Sequence, residues 1–76
     1  DILIAEDNPV NRMLLHSFLN DIANVEAVND GEDAVLACRE KHYQIILLDW
    51  QMPKLGGLDA AKRIRQESSL NIATPI

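Results

Sequence analysis

A chain of 76 residues with a net charge of −5 has room for one domain at most and is a poor match for nucleic-acid phosphate. Its 47% hydrophobic and 25% charged residues are the balance of a chain that folds rather than one that stays disordered. A single cysteine rules out an internal disulfide, and no apolar run approaches the roughly 20 residues that a membrane helix needs. With no signal-peptide pattern, the expected setting is a reducing cytoplasm, and any membrane anchor would lie elsewhere in a parent chain.

The chain opens on a short apolar run, Ile2-Leu3-Ile4-Ala5, that ends in Glu6-Asp7. Asn8-Pro9 then suits a helix start, because an Asn side chain caps free N–H groups and a proline at the first helical position needs none. Val10, Leu14 and Phe18, with Met13 and Leu19 beside them, recur at helical spacing and predict a helix ending near Asn20-Asp21. Residues 24–29 alternate apolar and polar, the pattern of a strand less buried than the first. Asp30 is the expected N-cap of a second helix, whose acidic first turn favours its dipole and whose buried stripe is Ala34, Val35 and Cys38. Leu36 lies off that stripe.

Ile45-Ile46-Leu47-Leu48 reads as a strand buried on both faces, with Asp49 at its C-terminal end. Trp50–Leu55 form a loop, and Gly56-Gly57 free the backbone before a third helix. Leu58, Ala61, Ile64 and the stem of Arg65 are expected to face inward, Ser68–Asn71 to end the helix, and Ile72–Ile76 to lead toward another strand. Strands alternating with amphipathic helices predict an α/β domain with a parallel sheet and helices on its faces. The chain enters a strand at once from Asp1, with no initiator Met, and stops as an apolar segment begins. The expectation is one piece of a longer polypeptide.

Two of the three strands end in acid. If they are neighbours, their ends stand ~4.8 Å apart and the carboxylates of Glu6, Asp7 and Asp49 converge. Two full charges at ~4 Å repel by about 4 kcal/mol at an effective dielectric of 20, which a cation or a retained proton relieves. Hard oxygen donors in a small hydrated site suit Mg²⁺, and a carboxylate can attack phosphorus to give an acyl phosphate. The plainer alternative is that strands end at solvent, where acids are common.

Three stretches carry a resemblance. Ala5-Glu6-Asp7-Asn8-Pro9-Val10-Asn11-Arg12, Asp30-Gly31-Glu32-Asp33-Ala34 and Leu47-Leu48-Asp49-Trp50-Gln51-Met52-Pro53-Lys54-Leu55-Gly56-Gly57-Leu58 together resemble the receiver domain of two-component response regulators. The opening Glu-Asp-Asn-x-x-Asn-Arg is similar to receivers fused to hybrid histidine kinases. The resemblance implies a flavodoxin-like fold of strand order 2-1-3-4-5. Residues 1–76 would supply its first three strand–helix units and the start of the fourth strand.

It further implies that Asp49 is the phosphoacceptor, charged from a phosphohistidine on a histidine kinase or a histidine phosphotransfer domain, in another chain or the same one. Glu6, Asp7, Asp49 and the backbone carbonyl of Gln51 would hold Mg²⁺, and Met52-Pro53 and Gly57 would shape the loop. Such a module catalyses its own phosphorylation without being a turnover enzyme, and contacts neither nucleic acid nor membrane. Gly56 departs from the family, which has a polar residue there. The family's switch Ser/Thr and phosphate-binding Lys would fall beyond Ile76; Thr74, Lys54 and Lys62 do not stand in for them.

Three rival readings stand beside this one. An aspartate-dependent phosphatase of the haloacid-dehalogenase type needs a second acid where Gln51 stands, and a mononucleotide-binding half-domain needs glycines where Glu6-Asp7-Asn8-Pro9 stand. The third is a truncated fragment that is not phosphorylated and acts through interaction, as a swapped or edge-paired homodimer. Of the remaining residues, Cys38 is expected in the core and His16 and His42 at the surface. Trp50 either borders the metal site or covers the loop. Lys62, Arg63 and Arg65 form a solvated face open to a phosphotransfer partner.

Overall fold

A computed structural model describes residues 1–76. Three strands, β1 (Ile2–Ala5), β2 (Val25–Val28) and β3 (Ile45–Leu48), alternate with three helices, α1 (Pro9–Leu19), α2 (Gly31–Glu40) and α3 (Gly57–Glu67). The sheet is parallel, in the order β2-β1-β3. This is the flavodoxin-like α/β arrangement, and the first three strands stand as the resemblance implied.

Local chemistry sets the helix starts. The Asn8 side chain accepts from the N–H groups of Val10 at 2.9 Å and Asn11 at 3.2 Å, with Pro9 first in α1. Asp30 accepts from Asp33 N–H at 2.9 Å and caps α2. Gly56, which has no side chain, leaves α3 without such a bond.

One face of the sheet carries the core. Leu3, Ala5 and Ile46 pack with Ala34, Val35 and Cys38 of α2, Ala60 and Ile64 of α3, and Tyr43. The α2 stripe is the expected one, and Leu36 is exposed. Two expectations about burial need correction, and α1 adds a finding of its own. In β3 only Ile46 is buried, while Ile45 and Leu47 point to the open face. In α3 the inward stripe is Gly57, Ala60 and Ile64, and Leu58 is exposed. Small residues at 57 and 60 let α3 approach the sheet end and α2 closely, which a Leu at the same place would prevent. In α1 no residue is buried, and Val10, Met13, Leu14 and Phe18 all face outward, Phe18 at 78% exposure. The spacing of these residues specifies a helix, but nothing in the chain lies over them.

Beyond α3, the chain turns at Asn71–Thr74 and runs up to the outer edge of β3, where the Ile46 N–H donates to the Pro75 carbonyl at 2.9 Å. That single bond is what the structure has of the expected next strand. No helix is long and apolar enough to cross a membrane.

Candidate functional site

Strand register brings the acids together. Ala5 is level with Leu48 on one side and Val28 on the other, so all three strands finish at the same height. Backbone bonds continue the ladder one step further: Asp49 N–H donates to Ala5 O at 2.9 Å, and Glu6 N–H to Val28 O at 3.1 Å. The carboxylates of Glu6, Asp7 and Asp49 consequently each place an oxygen within 4.8 Å of the others. Glu6 is buried, Asp49 half-buried and Asp7 exposed, so the cluster is open on one side.

The loop carrying Glu6 and Asp7 is tied down twice. Glu6 Oε2 accepts from Asn8 N–H at 3.2 Å, and the Arg12 guanidinium donates to the Glu6 carbonyl at 2.9 Å. Arg12 is a residue to which the sequence alone assigns no role at the site. The available signal was its place in the first turn of α1, four residues past the Asn8 cap, where a side chain leans back toward the N-terminal end that carries Glu6. Burial pushes the Glu6 carboxyl above its ordinary value, the hydrogen bond and charge of Asp49 push the same way, and the Asn8 N–H pulls against them. A buried acid beside two others is an arrangement that a cation or a proton stabilises.

After Asp49 the chain turns sharply. Gly57 N–H donates to Trp50 O at 3.2 Å, and a Cβ on Gly57 would collide with the Asp49 carbonyl, so only glycine lets α3 begin so close to the acid. Gln51 is exposed in this loop, two residues past Asp49. Trp50, 71% exposed, borders a groove shared with Glu6, Asp49, Leu48 and Leu58.

Other residues fall away from the site. His42 precedes β3 and lies beyond the opposite end of the sheet, and His16 is in the last turn of α1. Cys38 is fully buried, with its thiol pushed up to about 11 by burial, which keeps it protonated and inert. Part of the supposed solvated basic face is structural: Arg63 pairs with Glu32 and Glu67, both at 2.8 Å, and Arg65 donates to the carbonyls of Asn71 and Ile72. Thr74 is buried and donates to the Tyr43 carbonyl at 3.0 Å.

A parallel α/β sheet with an acidic triad at the carboxyl ends of two adjacent strands defines the class, and comparison with known proteins gives the family. The model of the response regulator receiver domain matches residues 2–76. The chain is 38% identical over 76 residues to the autoinducer 2 sensor kinase/phosphatase LuxQ of Vibrio vulnificus, covering 99% of this chain and 9% of LuxQ. Its structure superposes with a TM-score of 0.93 and 36% identity on the receiver domain of the sensor histidine kinase PA1611 from Pseudomonas aeruginosa PAO1, which has a magnesium ion coordinated in its active site cleft. That match covers 99% of this chain and 62% of the other. It also resembles the receiver domain of Ssk1, solved in complex with the histidine phosphotransfer protein Ypd1 of Saccharomyces cerevisiae, at a TM-score of 0.81 and 38% identity over 86% of this chain and 46% of that one. The chain belongs to the response regulator receiver domain family of two-component phosphorelay signalling.

Proposed function

We propose that this receiver accepts a phosphoryl group on Asp49 from a phosphohistidine, with Mg²⁺ held by Glu6, Asp7, Asp49 and the backbone carbonyl of Gln51. The observation that carries the reading is the convergence of the three carboxylates within 4.8 Å at the ends of β1 and β3. The donor set fits the ion: carboxylate oxygens on a face open to water, with one acid pushed above its ordinary value by burial and, after that, by the neighbouring acids. When bound, the ion neutralises the carboxylates and the oxygens of an incoming phosphoryl group.

The chain's own residues then have distinct tasks. An Asp49 carboxylate oxygen attacks phosphorus; the new O–P bond forms as the P–N bond to imidazole breaks, and the departing nitrogen keeps the electron pair and takes a proton from water. Glu6 and Asp7 hold the site's charge in place, and Asn8 and Arg12 fix the loop that carries them. The close seat of Gly57 on Asp49 sets where the acceptor's backbone stands. The partner is a histidine kinase or a histidine phosphotransfer domain, in keeping with the complex known for Ssk1. Phosphorylation of such a site is a local change of charge that a two-state surface converts into a signal.

Mg²⁺ titration followed by Trp50 fluorescence tests the site. A saturable change in the wild type that Asp7→Asn abolishes is the expected result. An equal response in Asp7→Asn would contradict the assignment.

A further inference from the structure

We propose that the first turn of α2 is the seat that holds the loop after Asp49, with Gly31 acting through Leu55 as a positioning residue for the backbone at Gln51. The inference rests on the metal reading above, because it assigns what sets the geometry of one ligand in that site.

The loop is fixed at one end by Gly57 N–H on Trp50 O. At its far end, Leu55 lies directly against Gly31: a Cβ built on Gly31 would collide with the Leu55 carbonyl and come within 2.9 Å of Leu55 Cβ. The missing side chain is therefore what allows this approach. Between these points the backbone is drawn into a tight three-residue turn, in which Leu55 N–H donates to Pro53 O at 2.7 Å around Lys54, at φ 67°. This is the γ-turn of positive φ, rare and strained for a residue with a side chain, and it persists only where its surroundings hold it.

Two further contacts supply that hold. Lys54 Nζ stands 3.6 Å from Asp30 Oδ2, and Asp30 is itself buried and committed to capping α2 through its other oxygen. Lys54 is exposed, so solvent screens this pair and the Gly31 contact dominates. Met52 packs against the core, and the Pro53 ring fixes its own φ, leaving a short, stiff path from Leu55 back to Gln51. A side chain at position 31 pushes on Leu55, and the push reaches Gln51 along that path.

The test uses three variants in the full chain. Gly31→Ala is expected to raise the Mg²⁺ concentration for half-saturation of the Trp50 signal by about tenfold, the scale of lost outer-shell support. It should also speed tryptic cleavage after Lys54 without Mg²⁺, while helical content by circular dichroism stays the same. Lys54→Val opposes the positive φ at an exposed position that cannot unfold the domain, and should weaken Mg²⁺ by a similar factor. Lys54→Gly adopts that φ freely and should bind Mg²⁺ like the wild type, which separates the turn's shape from the ammonium charge. Wild-type Mg²⁺ affinity and cleavage rate in Gly31→Ala, together with wild-type Mg²⁺ affinity in Lys54→Val, would overturn the seat. If Gly31→Ala fails to fold, Lys54→Val against Lys54→Gly decides the matter: equal affinities overturn it. A wild type with no Mg²⁺ response would instead overturn the metal reading, and the cleavage rates would still decide whether α2 holds the loop.

Discussion

The backbone N–H of Asp49 donates to the Ala5 carbonyl at 2.9 Å, one step beyond the last paired residues of β1 and β3. That bond locks Asp49 level with Glu6, the residue after Ala5, so the two acids cannot drift apart without breaking the sheet ladder. Their proximity is a consequence of register, and the electrostatic cost of it is built into the folded state.

Neutralising one acid should therefore stabilise the metal-free protein. Glu6 is held above its unfolded value, so the folded state keeps the extra proton; its contribution to stability is full at low pH and is lost as pH rises from near 4.5 through the raised value. At neutral pH, Glu6→Gln is expected to add about 1 kcal/mol, raising Tm by roughly 4–8 °C in Mg²⁺-free buffer. Saturating Mg²⁺ should shrink that advantage by stabilising the wild type more. Thermal melts with chelator and with Mg²⁺ check both halves.

A second prediction concerns Asn71, which is completely buried. Its Oδ1 accepts from Tyr43 N–H at 2.8 Å, and its Nδ2 donates to the Cys38 carbonyl at 2.9 Å and the Lys41 carbonyl at 2.7 Å. One side chain thus ties the end of α2, the entry to β3 and the turn after α3. Asn71→Ala leaves several buried partners unmatched and should cost about 3 kcal/mol by urea denaturation.

This residue also marks where reading the sequence reaches its limit. Asn8, Pro9 and Asp30 announce helix starts because capping is chemistry between near neighbours, and those starts stand as expected. Strand starts near residues 2, 25 and 45 were equally legible from apolar runs. Asn71, by contrast, reads as a helix breaker, since its burial arises only when three elements meet. The same holds for faces: Val10, Leu14 and Phe18 show a helix, and Ala60 rather than Leu58 proves to be its third helix's inward residue, because burial depends on what lies opposite. Of the site, Glu6, Asp7 and Asp49 were visible as strand-end acids. The order β2-β1-β3 that joins them came from family resemblance, because spacing alone leaves strand order open.

Acid stability gives a third prediction. The Lys41 ammonium, at 2.8 Å, and the Tyr43 hydroxyl hold the Glu26 carboxyl below its ordinary value. Glu67, bonded to Arg63 and Arg39, is pulled down to about 2. Both contributions are present above the unfolded value near 4.5 and are lost as pH falls through the lower folded values. Tm should fall between about pH 4.5 and pH 2, and Glu26→Gln should flatten that limb by a few tenths of a kcal/mol, since the pair is partly exposed. A pH series of melts on the two proteins measures the difference.

The central claim is that Asp49 receives the phosphoryl group. Incubating the full chain with a radiolabelled phosphohistidine donor in Mg²⁺ tests it most directly. The account predicts label on the wild type that is lost with hydroxylamine, as an acyl phosphate must be, and none on Asp49→Asn. Undiminished labelling of a folded Asp49→Asn would contradict it.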